Sequence, residues 1–300
     1  MCVAFFTLEH PEYALILCSN RDEYLSRPTE FAHFHSFEKK QQGYTHQAEP
    51  TVLSGIDVRA GGTWLGLHRT GKLALLTNIT EPITKFNSSR GHLVSSFLTS
   101  ELSLPLGEEN IRRLIPHDAK YAGFNLLLLA PSSPNWTRLS FNARYVTNRG
   151  AGGPITYRPL TDAQRRYGGL SNGIDGEGAD EWPKLQRGLD SMRAILDTLL
   201  PSSSEDELTE QLFDLLTWRS SQLPRDRTEL RNTVQVEPLV LSATDNIYAT
   251  RLSTVVLIRR NGEVLFIERD RWKLAQDGRP YLADPSSQRT FRFRIQPNEL

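Results

Sequence analysis

Residues 2–8 (CVAFFTL) and 13–19 (YALILCS) decide the fold, because they are two apolar runs of strand-forming residues with only a short polar connection around His10-Pro11-Glu12 between them. Two such runs in succession predict an antiparallel β-hairpin. A parallel pair would need a crossover helix between its strands, and residues 1–80 contain no helical pattern. The sequence therefore opens with antiparallel strands.

Two further pairs of apolar runs repeat this pattern. TWLGLH and KLALLTNI lie at 63–79, and STVVLI and VLFIE lie at 253–268, where Asn261-Gly262 joins them. Asn-Gly is typical of a tight hairpin turn, because both turn residues must accept positive φ. Single strands are predicted at 124–129 and 291–295.

Helices are predicted at three places. Apolar residues recur at three- and four-residue steps over 183–200, and Ser204 is a candidate N-cap for a second amphipathic pattern over 204–216. A third helix is predicted over 90–102. Because strands outnumber helices and come as adjacent hairpins, the sequence predicts an α+β fold in which helices cover antiparallel sheets.

The chain is expected to form one domain. Its 300 residues allow one large domain or two ordinary ones. No internal repeat or low-complexity tract marks a boundary, and the polar, irregular stretches at 32–50 and 218–234 are interpreted as insertions. We therefore expect a single domain over residues 1–300.

Composition argues against several classes of protein. The chain has 35 Lys+Arg and 35 Asp+Glu, and this balance argues against a nucleic-acid binder. No segment approaches the roughly 18 consecutive apolar residues of a membrane-spanning helix. The 2 cysteines and the lack of a secretory signal pattern predict a cytoplasmic protein. His33 and His35 have no third ligand at a recognisable spacing, so no metal or other cofactor is predicted.

Cys2 is the residue that most directly suggests a catalytic role. If the initiator methionine is removed, the new terminus carries a thiol and a free α-amine on one carbon. That amine has a pKa of about 7.7–8.0 in model peptides, so it could accept the thiol proton without a separate histidine. The alternative is that Cys2 is a small buried hydrophobe.

A polar run, SNRDEY at 19–24, follows the second apolar stretch, where a hairpin would return it to the side of Cys2. Arg21, next to Asp22 and Glu23, could there orient a terminal amine, make the thiol environment electropositive or bind a substrate carboxylate. The alternative is a solvated turn with a local ion pair, which contributes little to stability.

Several stretches resemble the NRDE-motif family, also called the Transport and Golgi organisation protein 2 family. They are SNRDEYLSRPT (19–29), AGGTWLGLHRTGKLALLTNITEP (60–82), SSRGHLV (88–94), GLSNG (169–173), WPKLQRG (182–188) and YATRLSTVVLIRRNGEVLFIERD (248–270). The family is similar in turn to N-terminal-nucleophile (Ntn) hydrolases of the choloylglycine hydrolase and penicillin V acylase kind. This resemblance implies a four-layer αββα sandwich of two mainly antiparallel sheets flanked by helices.

The resemblance also implies roles for individual residues. Cys2 matches the nucleophile, and Arg21, with Asp22, falls near the Arg/Asp pair that flanks the nucleophile in those hydrolases. There the two residues are separated by two others, whereas here they are adjacent. Either Asp22 or Glu23 is therefore the candidate acid.

Three further positions match the same hydrolases. Asn78, at the end of KLALLTNI, matches the Asn whose side chain helps to form the oxyanion hole, and Asn172 in GLSNG matches the second structurally placed Asn. Arg251 matches the Arg that stabilises charge near the thiolate. Each Asn also has a structural alternative, Asn78 as a strand end and Asn172 beside Gly173 as an ordinary turn pair.

Two functions are compatible with these residues. The first is an Ntn-type cysteine amidohydrolase or acyltransferase that uses no cofactor and acts on the C–N bond or thioester of a small acylated molecule. The second is a non-enzymatic cytosolic factor for Golgi organisation and protein secretion, or a carrier of haem or of an acyl lipid such as acyl-CoA, with haem as cargo rather than cofactor. By resemblance, either is expected in the cytoplasm, associated with the Golgi or mitochondria.

Overall fold

The computed structural model describes residues 2–37, 49–82, 86–101, 106–116, 119–199, 203–241 and 246–295. Its strands are β1 (Val3–Thr7), β2 (Tyr13–Tyr24), β3 (Thr29–His35), β4 (Val52–Asp57), β5 (Leu65–His68), β6 (Leu73–Asn78), β7 (Phe124–Pro131), β8 (Phe141–Thr147), β9 (Thr156–Pro159), β10 (Gly168–Leu170), β11 (Leu239–Val240), β12 (Ile247–Arg259), β13 (Glu263–Asp270), β14 (Trp272–Leu274), β15 (Pro280–Leu282) and β16 (Arg289–Arg294). Its α-helices are α1 (Gly91–Thr99), α2 (Glu108–Leu114), α3 (Asp162–Arg166), α4 (Pro183–Thr198) and α5 (Glu205–Leu216). None of these helices is long and apolar enough to cross a bilayer.

The strands form two large antiparallel sheets and a small hairpin. Sheet A has the order β10-β1-β2-β12-β13-β16, with β11 also paired to β12, and sheet B has the order β3-β4-β5-β6-β7-β8-β9. Strands β14 and β15 form a separate two-stranded sheet within the described part of the chain. The three predicted hairpins are confirmed as β1–β2, β5–β6 and β12–β13, and the three predicted helices as α1, α4 and α5.

The two sheets stack face to face between two layers of helices. Leu17 and Phe266 of sheet A pack with Leu67 and Leu127 of sheet B in the central core. Helices α4 and α5 cover the outer face of sheet A, and α1 and α2 cover the outer face of sheet B. The layer order is therefore αββα, and the predicted α+β sandwich is confirmed.

Strand β2 shows why its sequence is apolar without alternation. Leu15 and Leu17 face sheet B, whereas Ile16 and Cys18 face the outer helices. Because both faces of the strand are covered there, positions 13–18 are all apolar. Cys18 is accordingly a buried core residue.

Strand β2 does not end before the polar run but continues to Tyr24. It remains paired with β12, where Asp22 lies opposite Thr250. Asn20 is buried in this extension because its side-chain amide donates to the backbone oxygen of Leu216 at 2.9 Å. The interpretation of the polar run as a solvated turn is therefore wrong, because its polar groups find partners inside the sheet.

The first proposed insertion, residues 32–50, overlaps a strand at its start. Residues 32–35 belong to β3, which pairs with β4, and residues 38–48 lie outside the described residues. The second proposed insertion, 218–234, contains the short 3-10 helix Glu229–Asn232.

The segment after β10 connects the two sheets. Strand β10 pairs with β1 of sheet A, and the following residues cross to sheet B. There Asn125 of β7 donates from its side-chain amide to the backbone oxygens of Ser171 at 3.0 Å and Gly173 at 2.8 Å. This segment, 171–173, is thereby fixed beside the end of β6, where Asn78 lies.

Candidate active site

A cavity of about 120 Å³ lies where the ends of the two sheets meet the start of α1. Its walls are Cys2, Arg21, Asp22, Glu23 and Arg27 on the side of β2, Asp57, Ala60, Thr63, Trp64, Leu76 and Asn78 on the side of sheet B, and Ser89, Arg90 and Gly91 at the start of α1. Four of the six residues implicated by resemblance therefore line one cavity. The other two, Asn172 and Arg251, are not part of its wall.

Cys2 lies directly before the first paired residue of β1, since Val3 is opposite Asn20. Its side chain is half-buried, and Sγ lies 4.0 Å from the backbone oxygen of Asp22. Burial raises the pKa of the Cys2 thiol, the charge of Asp22 raises it further, and the guanidinium of Arg21 opposes the change. The thiol is therefore protonated at neutral pH in the unprocessed chain.

Asp22 is buried and lines the cavity. Its Oδ1 accepts a hydrogen bond from Thr250 Oγ1 at 2.6 Å. Burial raises the pKa of the Asp22 carboxyl, whereas the charge of Lys184 and the bond from Thr250 act in the opposite direction. A carboxyl group is thus held inside the protein, and the charge of the buried Lys184 acts on it.

Glu23, the other candidate acid, lies nearer the surface. Its Oε1 accepts a hydrogen bond from the backbone N–H of Tyr24 at 2.8 Å, and its carboxylate lies 3.7 Å from Arg27 Nε. The charge of Asp22 raises the pKa of the Cys2 thiol. Asp22 is thus the buried one of the two acids, and Glu23 is the one beside Arg27.

Arg21 does not pair with Asp22, because consecutive residues of a strand point to opposite faces. Its guanidinium projects toward sheet B and stacks 3.7 Å from the ring centroid of Trp64. Its Nη1 donates to Thr29 Oγ1 at 3.0 Å. Burial lowers the pKa of Arg21, and the charges of Glu23 and Cys2 oppose that shift.

Asn78 and Asn172 have different positions. Asn78 is the exposed last residue of β6 and lines the cavity. Asn172 is 1% exposed and donates from Nδ2 to the backbone oxygen of Asn78 at 2.7 Å. The structure therefore brings Asn78 to the cavity and places Asn172 behind it.

Lys184 is one of two charged residues that sequence reasoning missed. It lies in the first turn of α4, is 1% exposed, and donates from Nζ to Asn172 Oδ1 at 2.8 Å. Burial lowers the pKa of Lys184 to about 8, against the opposing charges of Asp22 and Cys2. The available signal was its position four residues before Gly188, which puts a lysine on the buried face of a predicted helix.

Arg251 lies at a β-bulge of β12, directly after Thr250. Its Nη1 donates to the backbone oxygen of Arg27 at 2.5 Å and to Thr29 Oγ1 at 3.2 Å. Burial, with a contribution from the charge of Arg21, lowers the pKa of Arg251 to about 10. Arg251 thus fixes the turn between β2 and β3 and shares a hydroxyl partner with Arg21.

Arg90 at the start of α1 forms the third wall, which the sequence did not indicate. Its Nη1 donates to the backbone oxygen of Gly123 at 2.9 Å. Burial lowers the pKa of Arg90, against the opposing charges of Glu81, Glu23 and Cys2. A second cation therefore faces the thiol.

Two glycines allow α1 to begin this close to sheet B. A Cβ on Gly62 would lie 2.4 Å from the backbone carbon of Gly91, which is far inside van der Waals contact. Glycine is therefore required at 62, because the loop before β5 rests directly on the first residue of the helix.

The two histidines of β3 contact each other, and one of them contacts a side chain of β4. The ring centroids of His33 and His35 lie 4.9 Å apart, and His35 Nε2 is 2.8 Å from Ser54 Oγ. Burial lowers the pKa of His35 to about 4, so this ring is neutral at pH 7. The described residues contain no group of three His, Cys, Asp or Glu side chains arranged to hold a metal ion.

The sandwich has the fold of the Ntn hydrolases. A conjugated bile acid hydrolase variant from Clostridium perfringens superimposes on it with a TM-score of 0.50 and 9% sequence identity, covering 100% of this chain and 99% of that chain. At this identity the likeness concerns the fold alone.

The chain belongs to the Transport and Golgi organisation 2 family, whose model matches residues 1–273. It is 32% identical over 288 residues to the Transport and Golgi organization 2 homolog of Mus musculus, covering 90% of this chain and 92% of that protein. It is 31% identical over 285 residues to the Homo sapiens homolog, with 90% and 92% coverage. The family resemblance drawn from the sequence is thereby confirmed.

Proposed function

We propose that this protein is an Ntn-type cysteine amidohydrolase or acyltransferase that acts on an amide or thioester of a small acylated molecule. The observation that carries the proposal is the position of the Cys2 thiol on the wall of a cavity that also contains Asn78 and buried Asp22. The Ntn-hydrolase fold supports it, because the cysteine lies directly before the first residue of β1.

The proposed reaction begins with removal of Met1, which leaves the thiol and α-amine of Cys2 on one carbon. The thiol proton passes to the amine, directly or through one water, and the sulfur attacks the substrate carbonyl carbon. The Asn78 side-chain amide can donate to the oxyanion that forms. When the intermediate collapses, the protonated amine gives its proton to the leaving nitrogen or sulfur, and an S-acyl enzyme remains. Water or an acceptor nucleophile then takes the acyl group and regenerates the thiol.

The buried residues act as positioning groups in this proposal. Asn172 holds the backbone of Asn78 at the cavity, and Lys184 in turn fixes the Asn172 amide. The Asp22 carboxylate is the group that would orient the ammonium formed at residue 2. Arg251 supports the turn on which Arg21 depends.

The mass of the intact protein and the alkylation rate of Cys2 test this proposal. We expect loss of Met1, and a Cys2 that reacts with iodoacetamide at neutral pH faster than a peptide with an N-terminal cysteine. Cys18 is fully buried and serves as the internal control in peptide mapping. Retained Met1, with a Cys2 no faster than the peptide thiol, would overturn the proposal.

Turnover is measured with a panel of small acyl amides and thioesters, scored for hydrolysis and for acyl transfer to hydroxylamine. Cys2→Ala should abolish turnover of any substrate found, because the substitution removes the nucleophile. Turnover that survives Cys2→Ala would assign the activity to another group.

The names of the mouse and human relatives favour a second candidate, a non-enzymatic role in transport and Golgi organisation. In that role the protein would act in the cytoplasm, at the Golgi or mitochondria, and carry haem or acyl lipid. Titration of haem and of a long-chain acyl-CoA against the unmodified protein and Cys2→Ala separates the candidates. Binding that is unchanged by the substitution, with no turnover, would support the carrier.

A further inference from the structure

Arg21 is a buried cation without a contacting carboxylate among the described residues. It is 5% exposed and lines the cavity beside Cys2. Its contacts are the Thr29 hydroxyl and the face of Trp64, neither of which carries a charge. Glu23 and Asp57 act on Arg21 only through space. Because a buried charge without a direct partner is costly, this position is suited to an anion that enters the cavity.

The acidic residues of the same wall are engaged elsewhere. Asp57 accepts from Arg27 Nε and Nη2, both at 2.8 Å, and Glu23 pairs with the same guanidinium at 3.7 Å. Asp22 projects from the opposite face of β2, where Thr250 donates to it. Arg27 therefore takes the ion pairs of Glu23 and Asp57, and Arg21 and Arg90 are the two guanidiniums of the wall that form no ion pair between described residues.

Arg90 provides the second cation of this part of the wall. Of the neighbouring charges, Glu81 has the largest effect on the pKa of Arg90. The Glu81 carboxylate, however, accepts hydrogen bonds from the backbone N–H groups of Gly123 and Ala151. No ion pair between described residues includes Arg90.

Helix α1 contributes positive potential at the same place. It has nine residues, begins at the cavity wall, and carries no acidic side chain in its first turn. The N–H groups of His92 and Leu93 already donate to the backbone oxygens of Ser89 and Arg90. The end of the helix still favours negative charge, because the helix dipole has its positive end there. Arg21, Arg90 and this helix end thus face one space next to the thiol.

We propose that Arg21, Arg90 and the N-terminus of α1 bind an anionic oxo group of the substrate, a carboxylate or a phosphate. The acylated molecule then carries a negative charge close to the bond that Cys2 attacks. This assignment rests on the proposed function, since it takes Cys2 as the reacting group. The competing assignment is that both guanidiniums only stabilise the Cys2 thiolate.

Alkylation of Cys2 by iodoacetate and by iodoacetamide separates these assignments. The two reagents have nearly the same size and the same leaving group, but only iodoacetate is an anion. Thiolate stabilisation accelerates both reactions equally, whereas an anion site accelerates only the first. We expect the ratio of the two rates at Cys2 to exceed that of a peptide with an N-terminal cysteine by about tenfold or more. A ratio equal to the peptide's would overturn the assignment.

Variants of one arginine test the source of the preference. Arg90→Gln should lower the rate ratio by at least about threefold, and Arg90→Lys should retain most of it, because the charge remains. Arg166 is exposed on α3 and lies outside the cavity wall. Arg166→Gln, which removes the same charge from the surface, should leave the ratio unchanged. Equal losses in Arg90→Gln and Arg166→Gln would contradict a local anion site.

Inorganic phosphate and acetate, added as competitors of iodoacetamide, distinguish the two sources of the anion. Stronger protection of Cys2 by phosphate assigns a phosphate group, and stronger protection by acetate assigns a carboxylate. If Cys2 reacts with neither alkylating reagent, the proposed function is lost. The anion site is then judged by thermal stabilisation with phosphate or acetate, which should occur in the unmodified protein and be lost in Arg90→Gln; its absence would overturn the site as well.

Discussion

Replacing Lys184 by methionine tests whether a positive charge is held inside the protein behind the candidate site. Methionine has a similar length and is apolar, so it removes the ammonium while preserving most of the packing. Burial lowers the pKa of Lys184 from its usual 10.5 to about 8, and this difference corresponds to about 3 kcal/mol. The folded state therefore disfavours the charged form by this amount.

The pH range of the effect follows from the two pKa values. Below pH 8 the folded and unfolded states both hold the proton, and the full cost of the buried ammonium is present. Between pH 8 and 10.5 the unfolded state holds more protons than the folded state, so stability rises with pH. From about pH 7 to about pH 10, the free energy of unfolding of the unmodified protein should rise by about 2.5 kcal/mol relative to Lys184→Met.

Urea unfolding followed by tryptophan fluorescence across this pH range measures the difference. Burial also lowers the pKa of Lys72 to about 8. Because Lys72 is present in both proteins, its contribution cancels in the difference between their free energies of unfolding. The variant leaves Asn172 Oδ1 without its donor, which costs about 1–3 kcal/mol at every pH. The test is therefore how the difference in the free energy of unfolding changes with pH, and not the size of that difference at pH 7. Lys120→Met removes a charge from an exposed position and should give no slope. A pH-independent difference for Lys184→Met would refute the buried ammonium.

Three further substitutions test the site and the core. Asn78→Ala should lower kcat about 10²- to 10³-fold on any substrate identified, with a smaller change in KM, because it removes an oxyanion donor; steady-state kinetics measure both, and an unchanged kcat would contradict the role. Asp22→Asn should move the midpoint of Cys2 alkylation to lower pH, because the Asp22 charge raises the pKa of the thiol; a shift to higher pH would contradict the contact. Gly188→Ala should destabilise by about 1–3 kcal/mol in urea unfolding, because the new Cβ would lie 1.9 Å from Phe5 Cζ; unchanged stability would contradict the packing of α4 on β1.

The strands and helices that the sequence predicted are those with a regular hydrophobic period. The end of β2 escaped prediction because strand membership there depends on distant partners rather than on apolarity. Asn20 is buried by the carbonyl of Leu216 and by the hydroxyl of Ser253, which donates to its Oδ1 at 2.6 Å. A polar residue with such partners is accommodated inside a sheet, but these partners are distant in the chain and cannot be predicted from the residues next to Asn20.

The candidate site was predictable only in part for a related reason. Cys2 and Asn78 belong to predicted strands, and the hairpins bring both to the same end of the sandwich. Asn172 lies in a loop and Lys184 in a helix, and the two are joined by a hydrogen bond. That contact depends on how α4 packs on sheet A. Arg90 was missed because the orientation of a helix start is fixed by packing and not by local sequence.

The environment of Cys2 imposes a requirement on the proposed chemistry. Burial and the charge of Asp22 both raise the pKa of the thiol, so the nucleophile has to be deprotonated as it reacts. No histidine is among the described residues of the cavity wall, and the proposed mechanism assigns the role of the base to the α-amine of a processed Cys2. While Met1 is attached, that nitrogen belongs to an amide and cannot accept a proton. On the proposed mechanism, removal of one methionine therefore creates the base and the reactive thiol together, and protein that keeps Met1 should be inactive even with the cavity intact.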